Sequence, residues 1–145
     1  MRCVQLASGL LLALGLSACG GSTMPAPLPT VQGHWQGAIT SPSDGTGTVA
    51  ADLNQAGSVV TGSVVLSQPG LSDARGTFNG TLESGAGGVT LRYAAFYDYG
   101  DGCTGTYGGT LDVNGGVLSG TYAGQNCAHT FTGSLHVEKT QAPRP

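Results

Sequence analysis

From residue 33 onward, apolar and polar residues alternate in short runs that turn-forming residues separate. Alternation with a period of two is typical of half-buried strands, because successive side chains point to opposite faces. The pattern predicts eight strands, at residues 34–40, 47–55, 58–67, 75–84, 89–97, 103–113, 117–124 and 128–139. Connections of hairpin length join them, so we expect an all-β domain with antiparallel pairing.

Three of these strands repeat one motif, written GTFNGTL at 76–82, GTYGGTL at 105–111 and HTFTGSL at 129–135. In each copy an aromatic, a glycine and a leucine share one face, while small polar residues share the other. Glycine weakens a strand, so its recurrence beside an aromatic indicates places where the sheet bends and a neighbouring ring covers the gap. The pattern favours a single eight-stranded up-and-down β-barrel, which also removes exposed strand edges; a two-sheet sandwich is the alternative.

The first predicted strand opens with Gly-His-Trp at residues 33–35. This resembles the Gly-x-Trp opening of the lipocalin and avidin-like β-barrels, where the Trp plugs the closed end. In lipocalins a basic residue of the last strand covers that Trp, and Lys139 has the inward parity to do so here by cation–π contact. The second and third lipocalin motifs are not apparent, and avidins bind biotin with several tryptophans where this chain has only Trp35. The resemblance therefore implies a barrel but no particular ligand.

Residues 1–18 have a short positive start and an apolar core too brief for the roughly 20 residues of a spanning helix. This is typical of a signal peptide. Its end, Leu-Ser-Ala-Cys at 16–19, resembles the lipobox of bacterial lipoproteins, which implies cleavage before Cys19, a diacylglyceryl thioether on its sulfur and an acyl group on its new amine. Gly20, where an Asp would favour inner-membrane retention, implies outer-membrane sorting in a Gram-negative host. A plain secretory signal, leaving Cys19 a free thiol, is the alternative.

The segment at 19–32 is rich in glycine, serine and proline, which favour an extended chain over a packed element. We interpret it as a tether that holds a barrel domain at 33–139 up to about 40 Å from the bilayer, at about 3 Å per residue. Residues 140–145 are expected to form a disordered tail. The resulting location is the bacterial cell envelope, with the protein lipid-anchored, on the outer membrane, and facing the periplasm or the cell surface.

Four cysteines occur in the chain. Cys3 leaves with the signal peptide and Cys19 is modified, so Cys103 and Cys127 are predicted to form a disulfide in an oxidising compartment. Each falls four residues before an inward-facing aromatic, which places both at one height of the barrel. A metal or catalytic role for these thiols is disfavoured, since there is no CxxC and no histidine at ligand spacing on both sides.

The sequence contains few motifs that are typical of catalytic sites. GDGCTG at 100–105 matches GxGxxG, but it joins two strands and opens no helix that could receive a pyrophosphate. GxSxG and HExxH do not occur. Without Arg2, four basic and eight acidic residues remain, a net charge of −4, which disfavours nucleic acid as a partner. We therefore expect neither enzymatic activity nor a cofactor.

An up-and-down order divides the connections into two sets. The short Gly-rich turns lie with the tether and the C-terminus, and the connections around residues 41–45, 67–74, 97–102 and 124–126 lie at the other end. Long connections on a rigid scaffold usually carry binding residues, although simple solvated turns are the alternative. The candidate ligand or partner residues are Tyr97, Asp98, Tyr99 and Asp101, with the inward-facing His129. Asp98 and Asp101 lack the regular acidic spacing of an EF-hand calcium loop.

Two functions are compatible with these features. The first is a non-catalytic envelope lipoprotein whose barrel binds a small apolar ligand or an envelope component at its loop-rich end, with glycines opening the interior. The alternative is an inhibitor that inserts loops or its tethered N-terminus into a periplasmic or host hydrolase, favoured by the disulfide-pinned loops. Both expect Tyr97 and Tyr99 to be exposed.

Overall fold

The computed structural model describes residues 26–69, 72–100 and 102–141. Eight antiparallel strands form a closed barrel in which every strand pairs with its neighbours in sequence and the first pairs with the last. The strands are β1 (Gly33–Ser41), β2 (Gly45–Ala56), β3 (Val59–Ser67), β4 (Ala74–Gly85), β5 (Gly88–Asp98), β6 (Thr104–Asn114), β7 (Val117–Gln125) and β8 (Thr130–Thr140). The predicted up-and-down barrel is confirmed, and the sandwich alternative is wrong. The predicted signal peptide, Cys19 and Asp101 lie outside the described residues.

Alternate side chains of every strand fill the barrel, as the period-two pattern predicts. Phe78 and Leu82 of the first motif copy, like their counterparts in the other two, are buried. Short polar residues face outward, and the only large apolar side chains exposed among the described residues are Val59 and Phe96. Within the same part of the chain, no helix is long and apolar enough to cross a membrane.

Strand glycines make room for rings and for neighbouring backbone inside the barrel. A Cβ placed on Gly133 would meet the Thr40 carbonyl oxygen and lie 2.6 Å from the Tyr122 hydroxyl, and one on Gly124 of β7 would meet the Thr106 carbonyl oxygen and lie 2.6 Å from the Phe131 ring. Real Cβ atoms do not approach other heavy atoms so closely, so a side chain at either position would displace both the neighbouring strand and the ring. The expectation that neighbouring rings cover the glycine gaps is confirmed at these two positions.

Trp35 closes the end of the barrel from which the N-terminal segment leaves. It is 1% exposed, and its indole N–H donates to the carbonyl oxygen of Val31 at 2.7 Å. Lys139 on β8 places its ammonium 5.8 Å from the centre of the Trp35 ring, which confirms the predicted cation–π contact. Gly33 (φ +132°) leaves space for this lysine, because a Cβ there would lie 2.9 Å from its Cε.

The packed structure extends beyond β1 into residues that the sequence pattern assigns to the tether. Val31 is fully buried, and Leu28 packs partly against the same core. Gln55 of β2 holds this segment: its side-chain oxygen accepts from the Val31 N–H at 2.7 Å, and its side-chain nitrogen donates to the Pro29 carbonyl at 3.2 Å. We call residues 28–32 the strap, because they cross the closed end and are bonded there.

Cys103 and Cys127 form the predicted disulfide, with their Cα atoms 5.6 Å apart. Each cysteine lies in a connection just before a strand, so the bond joins the β5–β6 loop to the β7–β8 loop. A backbone hydrogen bond closes each loop, from Tyr99 N–H to the Cys103 carbonyl and from Asn126 N–H to the His129 carbonyl, each at 3.0 Å. The two loops are therefore fixed to each other and to the barrel rim.

Trp35→Ala is expected to lower the free energy of unfolding by about 3–5 kcal/mol, since it removes a buried aromatic and the partner of Val31. Chemical denaturation followed by circular dichroism measures this change. Phe96→Ala is the matched control: this aromatic on the outer wall is 48% exposed, so its loss should cost about 0.5 kcal/mol or less. Equal losses in the two variants would contradict the packing described for Trp35.

The double substitution Cys103→Ala, Cys127→Ala is expected to destabilise the protein by about 3 kcal/mol, because the bond closes 24 residues in the unfolded chain. Denaturant midpoints of the variant and of the oxidised protein give the difference. Peptide mapping without reductant should recover residues 103 and 127 in one linked species. Native protein in which both thiols react freely with an alkylating agent would refute the bond.

Candidate functional site

A partly enclosed cavity of about 70 Å³ lies at the loop-rich end, opposite Trp35. The connections that follow β1, β3, β5 and β7 surround it, so residues far apart in sequence meet there. We call it the cup. Its floor is aromatic and consists of Tyr99, Tyr107, Tyr122 and Phe131. Its rim is polar and consists of Asp44, Gln68, Asn126 and His129. Two aliphatic residues, Ile39 and Leu66, form the remaining wall.

The floor of the cup is a packed aromatic cluster. The Tyr107 ring centre lies 4.6 Å from that of Phe131 and 6.0 Å from that of Tyr122, so strands β6, β7 and β8 each contribute one ring. The hydroxyl of Tyr99, from the disulfide-pinned β5–β6 loop, forms a hydrogen bond with the Tyr107 hydroxyl. Burial, and then this hydrogen bond, raise the pKa of Tyr107 above its usual range, so the hydroxyl stays neutral.

The rim carries one well-bonded carboxylate, that of Asp44. Its Oδ1 lies 3.1 Å from His129 Nε2, and its Oδ2 accepts hydrogen bonds from the hydroxyls of Ser43 at 2.9 Å and Ser41 at 3.1 Å. Burial acts to raise the pKa of Asp44, but the hydrogen bonds from Ser43, Ser41 and His129, and the attraction to His129, together lower it. The Asp44 side chain is therefore ionised at neutral pH.

His129 spans the gap between two loops. Besides its contact with Asp44, its ring meets the Phe131 ring edge-on, with the centres 5.8 Å apart. The side chain of Asn126 accepts hydrogen bonds from the backbone N–H groups of Ala128 at 2.9 Å and His129 at 3.0 Å, which fixes the loop before β8. The pairing of His129 with Asp44 thus closes one side of the rim.

The rim does not have the geometry of a nucleophilic site. In a Ser-His-Asp triad the histidine lies between the serine and the acid. Here Asp44 lies between Ser41 and His129, so the Ser41 hydroxyl donates to a carboxylate and has no base beside it. Among the described residues, no group of three histidine, cysteine or acidic side chains is placed to hold a metal ion. The chemistry that this rim offers is hydrogen bonding and charge.

The interior below the cup is nearly filled. A cavity of about 30 Å³ remains among Tyr97, Phe78, Tyr93 and other apolar side chains. One water needs about 10–15 Å³, whereas pockets for small-molecule ligands are typically about 300–1,000 Å³. The glycines therefore make room for the protein's own rings, and a group that enters from the mouth meets the cup and not an empty barrel.

Of the candidate residues, Tyr99 lies in the cup and Tyr97 does not lie on the surface. The sequence pattern places Tyr97 in an exposed loop, but β5 continues to Asp98 and its alternation keeps Tyr97 inside. Tyr97 is 4% exposed, and its ring meets the Tyr107 ring edge-on at 4.5 Å between centres. The expectation that it is exposed is wrong; Tyr97 supports the cup floor from below.

Of the other candidates, His129 differs from expectation and Asp98 does not line the cup. His129 is predicted to face inward, but it precedes β8, where strand parity does not apply, and its side chain is 42% exposed on the rim. Asp98 ends β5 with an exposed side chain that accepts a hydrogen bond from the Gly100 N–H at 2.8 Å, away from the cup. Asp101, the remaining candidate, lies outside the described residues.

The sequence pattern does not identify Tyr122 or the pairing of Asp44 with His129. The inward parity of Tyr122 in the seventh strand was a usable signal. The Asp44 pairing was not readable, because 85 residues separate the partners and only the contact of the first and last strands brings them together. Gln68, on the rim, has no marker beyond its place in a long connection.

Comparison with known protein families, with curated proteins and with solved structures finds no match to this chain. Function is therefore inferred from the cup and from the position of the strap at the opposite end of the barrel.

Proposed function

We propose that this protein is a lipid-anchored lipoprotein of the bacterial cell envelope that acts without catalysis, by binding an envelope component at its loop-rich end. One observation carries the proposal: the described chain has a partly enclosed, aromatic-floored and polar-rimmed cavity at a barrel mouth, and it lies at the end opposite the strap. Apolar contact area with a few convergent polar groups is typical of binding sites.

The position of the strap supports the orientation. Residues 28–32 leave the closed end, so a chain that runs from Leu28 back to a lipidated Cys19 starts on the far side of the barrel from the cup. Nine residues at about 3 Å each span about 27 Å. Such a tether lets the closed end face the bilayer and the cup face outward.

The size of the cavities favours one form of ligand. The interior is too small to enclose a lipid or another apolar molecule, and the cup accepts a group about the size of one side chain. We therefore favour an envelope component that inserts such a group from outside, rather than an apolar molecule carried within the barrel.

Inhibition of a periplasmic or host hydrolase is the second candidate. The disulfide fixes the β5–β6 and β7–β8 loops before any partner arrives, and both border the cup. Loops that are already ordered lose less conformational entropy on binding, which is the property that a tight inhibitor requires.

Cys19→Ser is expected to abolish lipidation, since a serine hydroxyl does not form the thioether. Fractionation and detergent-phase partitioning should show the variant released from membranes or retained as an uncleaved precursor. Cys3→Ser, in the predicted signal peptide, is the matched control and should stay membrane-associated. Unchanged partitioning of the Cys19 variant would contradict the proposed anchor.

Photo-crosslinking in intact cells is expected to find the partner at the cup. A photoreactive residue at Gln68 or Asn126, on the rim, should give crosslinked products, while one at Ser58 or Asn114, in the turns of the closed end, should not. Tyr99→Ala should lower the yield severalfold with little change in thermal stability, because this ring is only partly buried.

The crosslinked species separates the two candidates. A hydrolase whose activity falls on addition of the purified protein supports inhibition, and a non-hydrolytic envelope component supports the first proposal. Crosslinks concentrated at the closed end would contradict the first proposal and inhibition through the loops, and would leave only insertion of the tethered N-terminus.

A further inference from the structure

We propose that the cup binds the guanidinium group of an arginine side chain on the surface of a protein partner. This inference rests on the proposed function, since it names the chemistry recognised by the same site. Three properties of the cup carry it: its size, its single carboxylate and its aromatic floor.

Size restricts the ligand to a side-chain head group. A cavity of about 70 Å³ holds about five waters. A guanidinium has four heavy atoms in one plane and matches that space. A sugar ring with its hydroxyls, or a nucleobase, has two to three times as many heavy atoms and does not.

Charge selects a cation. Asp44 is the one acidic side chain that lines the cup, no lysine or arginine lines it, and its hydrogen bonds keep it ionised. Two further acids border the loop-rich end, Asp73 in the β3–β4 connection and Asp98 at the end of β5, against one base, Arg75 on β4. An approaching anion would meet repulsion at this end, whereas an arginine would meet attraction.

The aromatic floor selects guanidinium over ammonium. Guanidinium is planar and weakly hydrated and stacks on aromatic faces, while ammonium is compact and holds its water strongly. The Tyr99 and Tyr107 hydroxyls and the side-chain carbonyl of Gln68 add neutral acceptors for the remaining N–H groups. A fork of five donors therefore finds both a counter-ion and several acceptors within one cavity.

His129 occupies the place that the ligand would take on the carboxylate. It bonds Oδ1 of Asp44, while Ser41 and Ser43 bond Oδ2 and hold the carboxylate in position. Because the His129 side chain is 42% exposed, it has room to turn out into solvent when an arginine reaches Oδ1. His129 is thus a competitor of the ligand, and its removal should tighten binding.

The test is an NMR titration of the isotope-labelled protein, as purified, with Nα-acetyl-L-argininamide. The neutral isostere Nα-acetyl-L-citrullinamide and the ammonium analogue Nα-acetyl-L-lysinamide are the comparison ligands. We expect argininamide to shift the backbone amide signals of Tyr99, Asn126 and His129, and to bind at least threefold more tightly than either comparison ligand.

Variants identify the groups responsible. Asp44→Asn should weaken argininamide binding at least tenfold, since it removes the counter-ion, while Asp73→Asn removes the same charge outside the cup and should change it less than twofold. Tyr99→Leu should weaken binding roughly threefold and Tyr99→Phe less than twofold, because the second keeps the ring. His129→Ala should tighten binding.

Several results would overturn the inference. If citrullinamide binds as tightly as argininamide, the positive charge plays no role. If lysinamide binds as tightly as argininamide, the cup has no preference for guanidinium over ammonium. If Asp44→Asn and Asp73→Asn weaken binding equally, only the net charge of the protein matters. Tyr99→Leu and His129→Ala keep the test decisive if Asp44→Asn does not fold. If crosslinks map to the rim but argininamide does not bind, this inference fails while the proposed function stands; if argininamide binds but crosslinks map to the closed end, the proposed function fails.

Discussion

The pairing of β1 with β8 is the contact on which the rest of this structure depends. The two strands lie at opposite ends of the domain in sequence, and their register sets Trp35 opposite Lys139 and Ile39 opposite Leu135. One consequence is the plugged end, where the lysine reaches the indole. The other is the cup, because the same register brings the Asp44 loop beside the His129 loop. Closure of the barrel thus creates both ends of the molecule.

Packing inside the barrel then decides what the open end can accept. Two interior aromatic residues face glycines on the neighbouring strand, as Tyr122 faces Gly133 and Phe131 faces Gly124. These glycines leave room for the rings, so Tyr122 lies over β8 and packs with Phe131 and Tyr107. The packed rings fill the barrel below the cup, so no channel runs through it. A ligand that enters from the loop-rich end can therefore bind only in the cup, above these rings.

Local patterns in the sequence were sufficient to predict most of the fold. Alternation of apolar and polar residues with a period of two predicted all eight strands to within two residues at each end. The same alternation correctly predicted that the side chains of Phe78 and Lys139 face inward. The predictions failed where strands end: β5 runs to Asp98, so its alternation takes Tyr97 inside where an exposed loop was expected, while His129 lies before its strand and does not follow the parity. The site was less predictable, since the Asp44–His129 contact depends on the closure of the barrel and no local signal encodes it.

The strap also determines how a pull on the N-terminal segment, where the anchor is proposed, would enter the domain. Tension along the N-terminal segment reaches Val31 before it reaches β1, and Val31 is bonded to Gln55 on β2 and to the Trp35 indole. The force is therefore distributed over β1, β2 and the buried Trp35 ring. It does not act on the hydrogen bonds between β1 and β8 alone. If the N-terminal segment is anchored as proposed, the strap distributes tension before it reaches the barrel.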